Sequence, residues 1–144
     1  PGTGLTPEGI ETLGEAAEGL ILASSYEAAT GTGEAIEQFN AEMDAEAPDA
    51  PRTELAINAW ASVHLFADVL AELDTIDSAS VVAALANRPV ELGVAPPFTL
   101  GVPDNPLGLP RIFRVTFLVQ EISDGEAVPS GDGTFLDVND FVTG

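Results

Sequence analysis

Residues 53–73, TELAINAWASVHLFADVLAEL, constrain the fold of this chain more than any other stretch. Ala59, Val63, Phe66, Leu70 and Leu73 step by four and three, and Ala56, Trp60 and Ala67 widen the apolar stripe. That spacing is the signature of an amphipathic helix at 3.6 residues per turn. A stripe this broad needs a sheet or other helices over it. The helix is therefore expected to form one wall of a core, packed by its Val63, Phe66 and Leu70 face.

Two stretches read as strands. Leu20, Ile21, Leu22 and Ala23 form a short apolar run bounded by Gly19 and two serines, which suits a buried strand better than a helix. A parallel sheet covered on both faces asks for such a run. In residues 112–129, IFRVTFLVQEISDGEAVP, alternation puts Phe113, Val115, Phe117 and Val119 on one face and Arg114, Thr116 and Gln120 on the other. Asp124 and Gly125 then offer a hairpin turn.

Helical signals fill much of the rest. Thr6 is a candidate N-cap ahead of Pro7, with Glu8 and Glu11 in the first turn and Gly14 near the end. Ile36, Phe39 and Met43 recur at helical spacing between the loop at 31–33 and Pro48, and Pro48 and Pro51 mark a connector. Residues 80–87, SVVAALAN, predict a second short helix, capped by Ser78 or Asp77 and stopped by Pro89. Residues 90–110 are dense in Pro and Gly and predict an irregular arm with one short strand at 98–100. There is no internal repeat.

Composition excludes several functions. The net charge is −20, from 24 acidic residues against four arginines (Arg52, Arg88, Arg111, Arg114) and no lysine. Such a surface repels phosphate backbones and anionic lipid, so no nucleic-acid partner is expected. The plain reading is a surface that keeps a secreted protein soluble; cation recruitment or a salty habitat is the sharper alternative. With no cysteine, disulfides, thiolate zinc sites and thiol nucleophiles are absent. The apolar runs are far shorter than the roughly 20 residues of a spanning helix.

The segment 13–26, LGEAAEGLILASSY, joins a charged helical turn to an apolar strand and breaks at a polar aromatic. Followed in order by the helix at 53–73, the helix at 80–87 and the strand and turn at 112–129, it resembles the C-terminal portion of the solute-binding proteins of branched-chain amino-acid ABC transporters. That resemblance implies an α/β fold: a fragment of a two-lobed type I periplasmic-binding-protein fold, with parallel sheet strands flanked by helices. Residues 13–26 would be a crossover strand region, 33–88 the helical part of one lobe, and 89–144 a Pro/Gly-rich arm with returning strands. Less than half of a typical member is covered and the chain opens on Pro1 without a signal peptide, so a fragment of a longer extracytoplasmic protein, periplasmic or lipid-anchored at the cell surface, is expected.

The implied function is solute binding for import, with no catalysis and no cofactor. The partners would be a small-molecule solute, an amino acid or a related small carboxylate or amide, and an ABC permease. A sensory ectodomain of the same fold, or an acidic calcium-dependent surface module, is the alternative. The resemblance places Tyr26 at the mouth of the interlobe cleft, where its ring can cover an aliphatic ligand and its hydroxyl can bond a carboxylate; a half-buried Tyr at a strand end is the plain reading. Ser24 and Ser25 can cap a loop or donate to ligand. Glu8 lies in the region where amino-acid-binding members carry an acid for the ammonium group, though closer to AAEG than that acid would be, and a capping carboxylate explains it without any ligand. Donors for the ligand's carboxylate are implied to lie mostly in the other lobe.

Several weaker motifs carry nothing. His64 is the single histidine, with no cysteine to join it in a metal site. SGDGTFLDVND matches a calcium loop poorly, because Val128 and Asn139 fall at its first and twelfth positions. TGTGEAI puts Ile36 where a dinucleotide loop needs its third glycine. Uncovered sheet edges in a half protein are expected to drive self-association.

Overall fold

The computed structural model describes residues 5–101 and 114–138. Ile112, Phe113, Arg111, residues 102–110 of the Pro/Gly-rich arm and Asn139 of the calcium-like stretch lie outside the described residues. Helix α1 (Pro7–Leu13) starts as the sequence predicts. Thr6 Oγ1 accepts from the Gly9 N–H at 3.1 Å, Pro7 needs no partner for a missing N–H, and Gly14 ends the helix at φ 55°. A 3₁₀ turn (Gly14–Ala17) leads to β1 (Ile21–Ser24).

Helix α2 (Glu34–Glu46) and helix α3 (Glu54–Ala71) follow. Thr53 caps α3 by accepting from the Ala56 N–H at 3.2 Å. Helix α4 (Ser78–Leu85) is capped by Asp77, whose Oδ1 accepts from the Ser80 N–H at 2.8 Å. β2 (Pro89–Val90) pairs with β3 (Phe98–Thr99), and β4 (Thr116–Ser123) turns through Asp124 and Gly125 into β5 (Glu126–Pro129) before β6 (Leu136–Asp137). Asp124 and Gly125 both have positive φ, 54° and 80°, the type I′ geometry that matches strand twist. The Glu18 carboxylate clamps this turn, accepting their N–H groups at 3.0 and 2.9 Å.

Strand pairing departs from the expected parallel sheet. β4 is flanked by β1 and β5 and also pairs with β6, and every pairing among the described residues is antiparallel. A two-residue turn can only join antiparallel neighbours, since a parallel pair needs a crossover of a dozen or more residues. β1 pairs with β4 alone among the described residues, so it is a sheet edge. Leu20 and Ile21 are consequently 40% and 61% exposed, where a two-sided sheet would bury them.

The core sits in two clusters. Ile36 and Phe39 of α2 pack on Ile57 and Ala61 of α3 and on Val94 of the loop between β2 and β3. The rings of Phe39 and Trp60 meet edge to face at 5.8 Å. Ile10, Ala17 and Ile122 form the second cluster, under Leu22 and Ala127. The face of α3 differs from its expected orientation, and on β4 the packing decides which face is covered. On α3 the buried residues are Ile57, Ala61 and Val69, while Val63 and Phe66 are 67% and 48% exposed; packing of Ile57 and Ala61 against the Ile36 and Phe39 side chains of α2 selects the face. On β4, Leu118, Gln120 and Ile122 are buried and Phe117 and Val119 half-buried, because α1 and its 3₁₀ turn cover the even-numbered side.

Candidate functional site

The buried face of the sheet carries the site. Antiparallel register sets Leu22 opposite Gln120 and Ser24 opposite Leu118, so these four side chains share one face. That face forms the floor of a cavity of about 470 Å³. Leu22, Ser24, Gln120 and Ala127 line the sheet side, Thr6, Pro7 and Ile10 of the α1 start line a second side, and Thr53, Glu54 and Ile57 at the start of α3 close the third. The loop from Glu27 to Thr30 forms the rim.

Each rim element is held by a specific bond. The Ser24 hydroxyl donates to the Tyr26 carbonyl at 2.8 Å and accepts from the Tyr26 N–H at 3.2 Å, which turns the chain sharply after β1. The Glu54 carboxylate accepts from the Ser25 N–H at 3.0 Å, and the Ser25 carbonyl accepts from Arg114 Nη2 at 2.5 Å. Asn58 Nδ2 donates to the Tyr26 hydroxyl. The guanidinium of Arg114 stands over the rings of Tyr26 and Phe98, 5.4 and 5.9 Å from their centroids. Burial lowers the Arg114 pKa from its ordinary value, and Tyr26 and Glu54 oppose that shift.

Glu27 shows what the TGTG loop is for. Its N–H donates to the Val94 carbonyl at 2.8 Å and its carboxylate accepts from the Gly33 N–H at 3.0 Å. A Cβ on Gly31 or Gly33 would run into that carboxylate, so the two glycines keep Glu27 folded back at the cavity rim.

Of the three residues singled out from sequence, Ser25 and Tyr26 meet in one group with Glu54, Asn58 and Arg114. Tyr26 is half-buried and its ring also packs on the α2–α3 cluster. Glu8 is exposed on α1, and the cavity wall beside it is Pro7. The residues missed from sequence are Glu27, Glu54, Gln120 and Arg114. One signal was available: Arg114 is a cation in an otherwise apolar strand pattern. His64 lies outside this region, with its ring 4.3 Å from that of Trp60 and its Nε2 3.1 Å from Glu42 Oε2. No group of three or more potential metal ligands occurs among the described residues, and no described helix is long and apolar enough to cross a membrane.

Comparison with known proteins adds the lineage. The crystal structure of a branched chain amino acid ABC transporter from Thermus thermophilus with bound valine is similar over 95% of this chain at a TM-score of 0.60 and 18% identity. At that identity the likeness is one of fold, and the chain spans 38% of the length of that structure. None of the curated protein sequences matches the chain. A model of the family described as periplasmic binding protein matches residues 2–110, a segment that holds α1 to β3 and the whole cavity rim. The chain belongs to the periplasmic binding protein family.

Proposed function

We propose that this chain is part of the solute-binding component of an ABC importer, working outside the cytoplasm and performing no catalysis. The observation that carries the reading is the coincidence of the family match with a cavity of about 470 Å³ on the inner sheet face. Small-solute sites are typically clefts of roughly 300–1,000 Å³ with apolar walls and a few placed polar groups. Here Ile10, Leu22, Ala28 and Ile57 supply the apolar wall, and Ser24, Glu27, Glu54 and Gln120 the polar points. A small, largely aliphatic solute fits that lining.

In this reading residues 13–26 cross between lobes, residues 33–88 form the helical part of one lobe, and residues 89–144 return to the sheet. The solute docks between the lobes, hinge closure buries it, and a permease recognises the closed form. Tyr26 and Ser25, which sit between the cavity-lining Ser24 and Glu27, are assigned to the edge of the cleft, and Glu8, next to the cavity-lining Pro7, is assigned as a peripheral acid for an ammonium group. Valine is the first candidate, since the similar solved structure holds it.

Calorimetric titration of the protein that carries this chain, with leucine, isoleucine, valine, polar and aromatic amino acids and small amides, tests the assignment. At least one aliphatic member is expected to bind, and Tyr26→Ala to weaken it by roughly 1–3 kcal/mol through lost apolar contact and an unmade hydrogen bond. Failure of every member to bind the folded protein would reject solute binding. Equal affinity for wild type and variant would remove Tyr26 from the site.

A further inference from the structure

Gln120 is a buried polar side chain that the fold leaves unserved. It sits on β4 opposite Leu22 of β1 and Pro129 of β5 and is 6% exposed. Its side chain lines the cavity and bonds nothing among the described residues. The other neutral polar side chains of the lining are already engaged. The Ser24 and Thr30 hydroxyls donate to the Tyr26 and Ala127 carbonyls at 2.8 and 2.9 Å, and the Thr6 and Thr53 hydroxyl oxygens cap α1 and α3. A buried amide without a partner is costly, and the open side of this one is the cavity.

The surrounding charges decide what partner suits it. Glu27, Glu54 and Glu126 line the same cavity against one cation, Arg52, which pairs with Asp44. Glu27 and Glu54 each give one carboxylate oxygen to a backbone N–H, of Gly33 and Ser25 respectively. Those bonds hold the two side chains in place and leave the second oxygen of each uncommitted among the described residues. Two positive influences oppose the carboxylates. Arg114 acts on Glu54, and the first turn of α3, which reaches the cavity at Thr53 and Glu54, carries about half an elementary charge. The balance stays negative. An amide can present its oxygen or its nitrogen, and in a negative cavity the oxygen faces the ligand.

We propose that the cavity selects a small organic cation, an aliphatic amine, whose ammonium group donates to Gln120 Oε1 while the carboxylates of Glu27, Glu54 and Glu126 supply the charge that favours it. The inference rests on the solute-binding reading and deepens it: positive charge sets the ligand class, and a carboxylate on the solute adds nothing at this cavity. Ile10, Leu22 and Ile57 receive the alkyl part. An ammonium group leaves water at great cost unless it is both charge-compensated and hydrogen-bonded, so the carboxylates and the amide act together.

The protein that carries this chain is titrated calorimetrically near neutral pH with isopentylamine, isopentanol and isovalerate, which share one alkyl group and differ in charge, and with valine and valinamide. The amine is expected to bind at least about tenfold tighter than the alcohol, with the acid weakest, and valinamide at least as tightly as valine. Gln120→Met conserves volume and removes the amide. It is expected to weaken the amine roughly tenfold while raising the melting temperature of the empty protein, because the unpaired group is gone. The double variant Glu27→Gln, Glu54→Gln keeps both backbone hydrogen bonds and is expected to shrink the preference for amine over alcohol several-fold. Equal binding of amine, alcohol and acid, an acid that binds tightest, valine clearly tighter than valinamide, unchanged amine affinity in Gln120→Met, or an undiminished preference in the double variant would each overturn the proposal and leave solute binding intact. A lowered melting temperature with every ligand weakened alike would mark a packing role for Gln120 and overturn it too. Binding of none of the five would also overturn it, and the wider panel then decides the solute reading separately. Circular dichroism checks each fold, and if Gln120→Met does not fold, Gln120→Leu carries the same comparison.

Discussion

Glu42 shows how far surface hydrogen bonds can move a single group. Its carboxylate accepts from Trp60 Nε1 at 2.7 Å and Gln38 Nε2 at 2.8 Å, and His64 Nε2 lies 3.1 Å away. These contacts, Trp60 first, hold its pKa down from 4.5 to about 2. A folded pKa below the unfolded value gives stability that is present above the unfolded value and lost as pH falls through the folded one. The window here runs from about 4.5 down to about 2. Melting temperature is therefore expected to fall more steeply across that window in wild type than in Glu42→Gln, with the two converging at the acid end; parallel profiles would show the contacts to be energetically idle. At this scale the strand end before Ser25 and Tyr26 was legible, because an apolar run that breaks at polar residues marks a strand end. Their partners were not: Glu54 reaches Ser25 across 29 positions and Arg114 across 89, and no local pattern encodes a contact of that length.

Helix α3 shows what periodicity can and cannot decide. Its existence follows from sequence, but its stretch is apolar on so many sides that several faces satisfy the same spacing. Tertiary contact with α2 selects Ile57 and Ala61 and leaves Phe66 half in solvent. Phe39, fully buried between these helices, is then the ring that matters. Phe39→Ala is expected to cost about 3–5 kcal/mol and Phe66→Ala less than about 1 kcal/mol by urea denaturation. The reverse order would restore the Val63–Phe66–Leu70 face and contradict the packing described. Strand β4 teaches the same lesson, since alternation was legible but the covered side depended on α1. The turn at Asp124 and Gly125 was readable outright, because few residue pairs accept two positive φ values in succession.

At the scale of the whole molecule, the chain spans 38% of a similar solved protein, and its β1 edge carries exposed Ile21, with exposed Leu20 just before it. An edge with apolar side chains recruits strands, and a net charge of −20 opposes this only within about 8 Å at physiological salt. Sedimentation equilibrium of the chain at that salt is expected to show concentration-dependent dimers or larger species, and a clean monomer throughout the micromolar range would reject self-association. The family was legible from the serial order of elements. The antiparallel pairing was not, because an apolar run fixes neither its neighbours nor their direction. The central claim, that the cavity rim receives a small solute, is tested most directly by hydrogen exchange of the protein carrying this chain, with and without the tightest-binding member of the solute panel. The account predicts slowed exchange confined to residues 24–33 and 53–58, with α4 unchanged. Protection that falls elsewhere, or none at saturating solute, would contradict it.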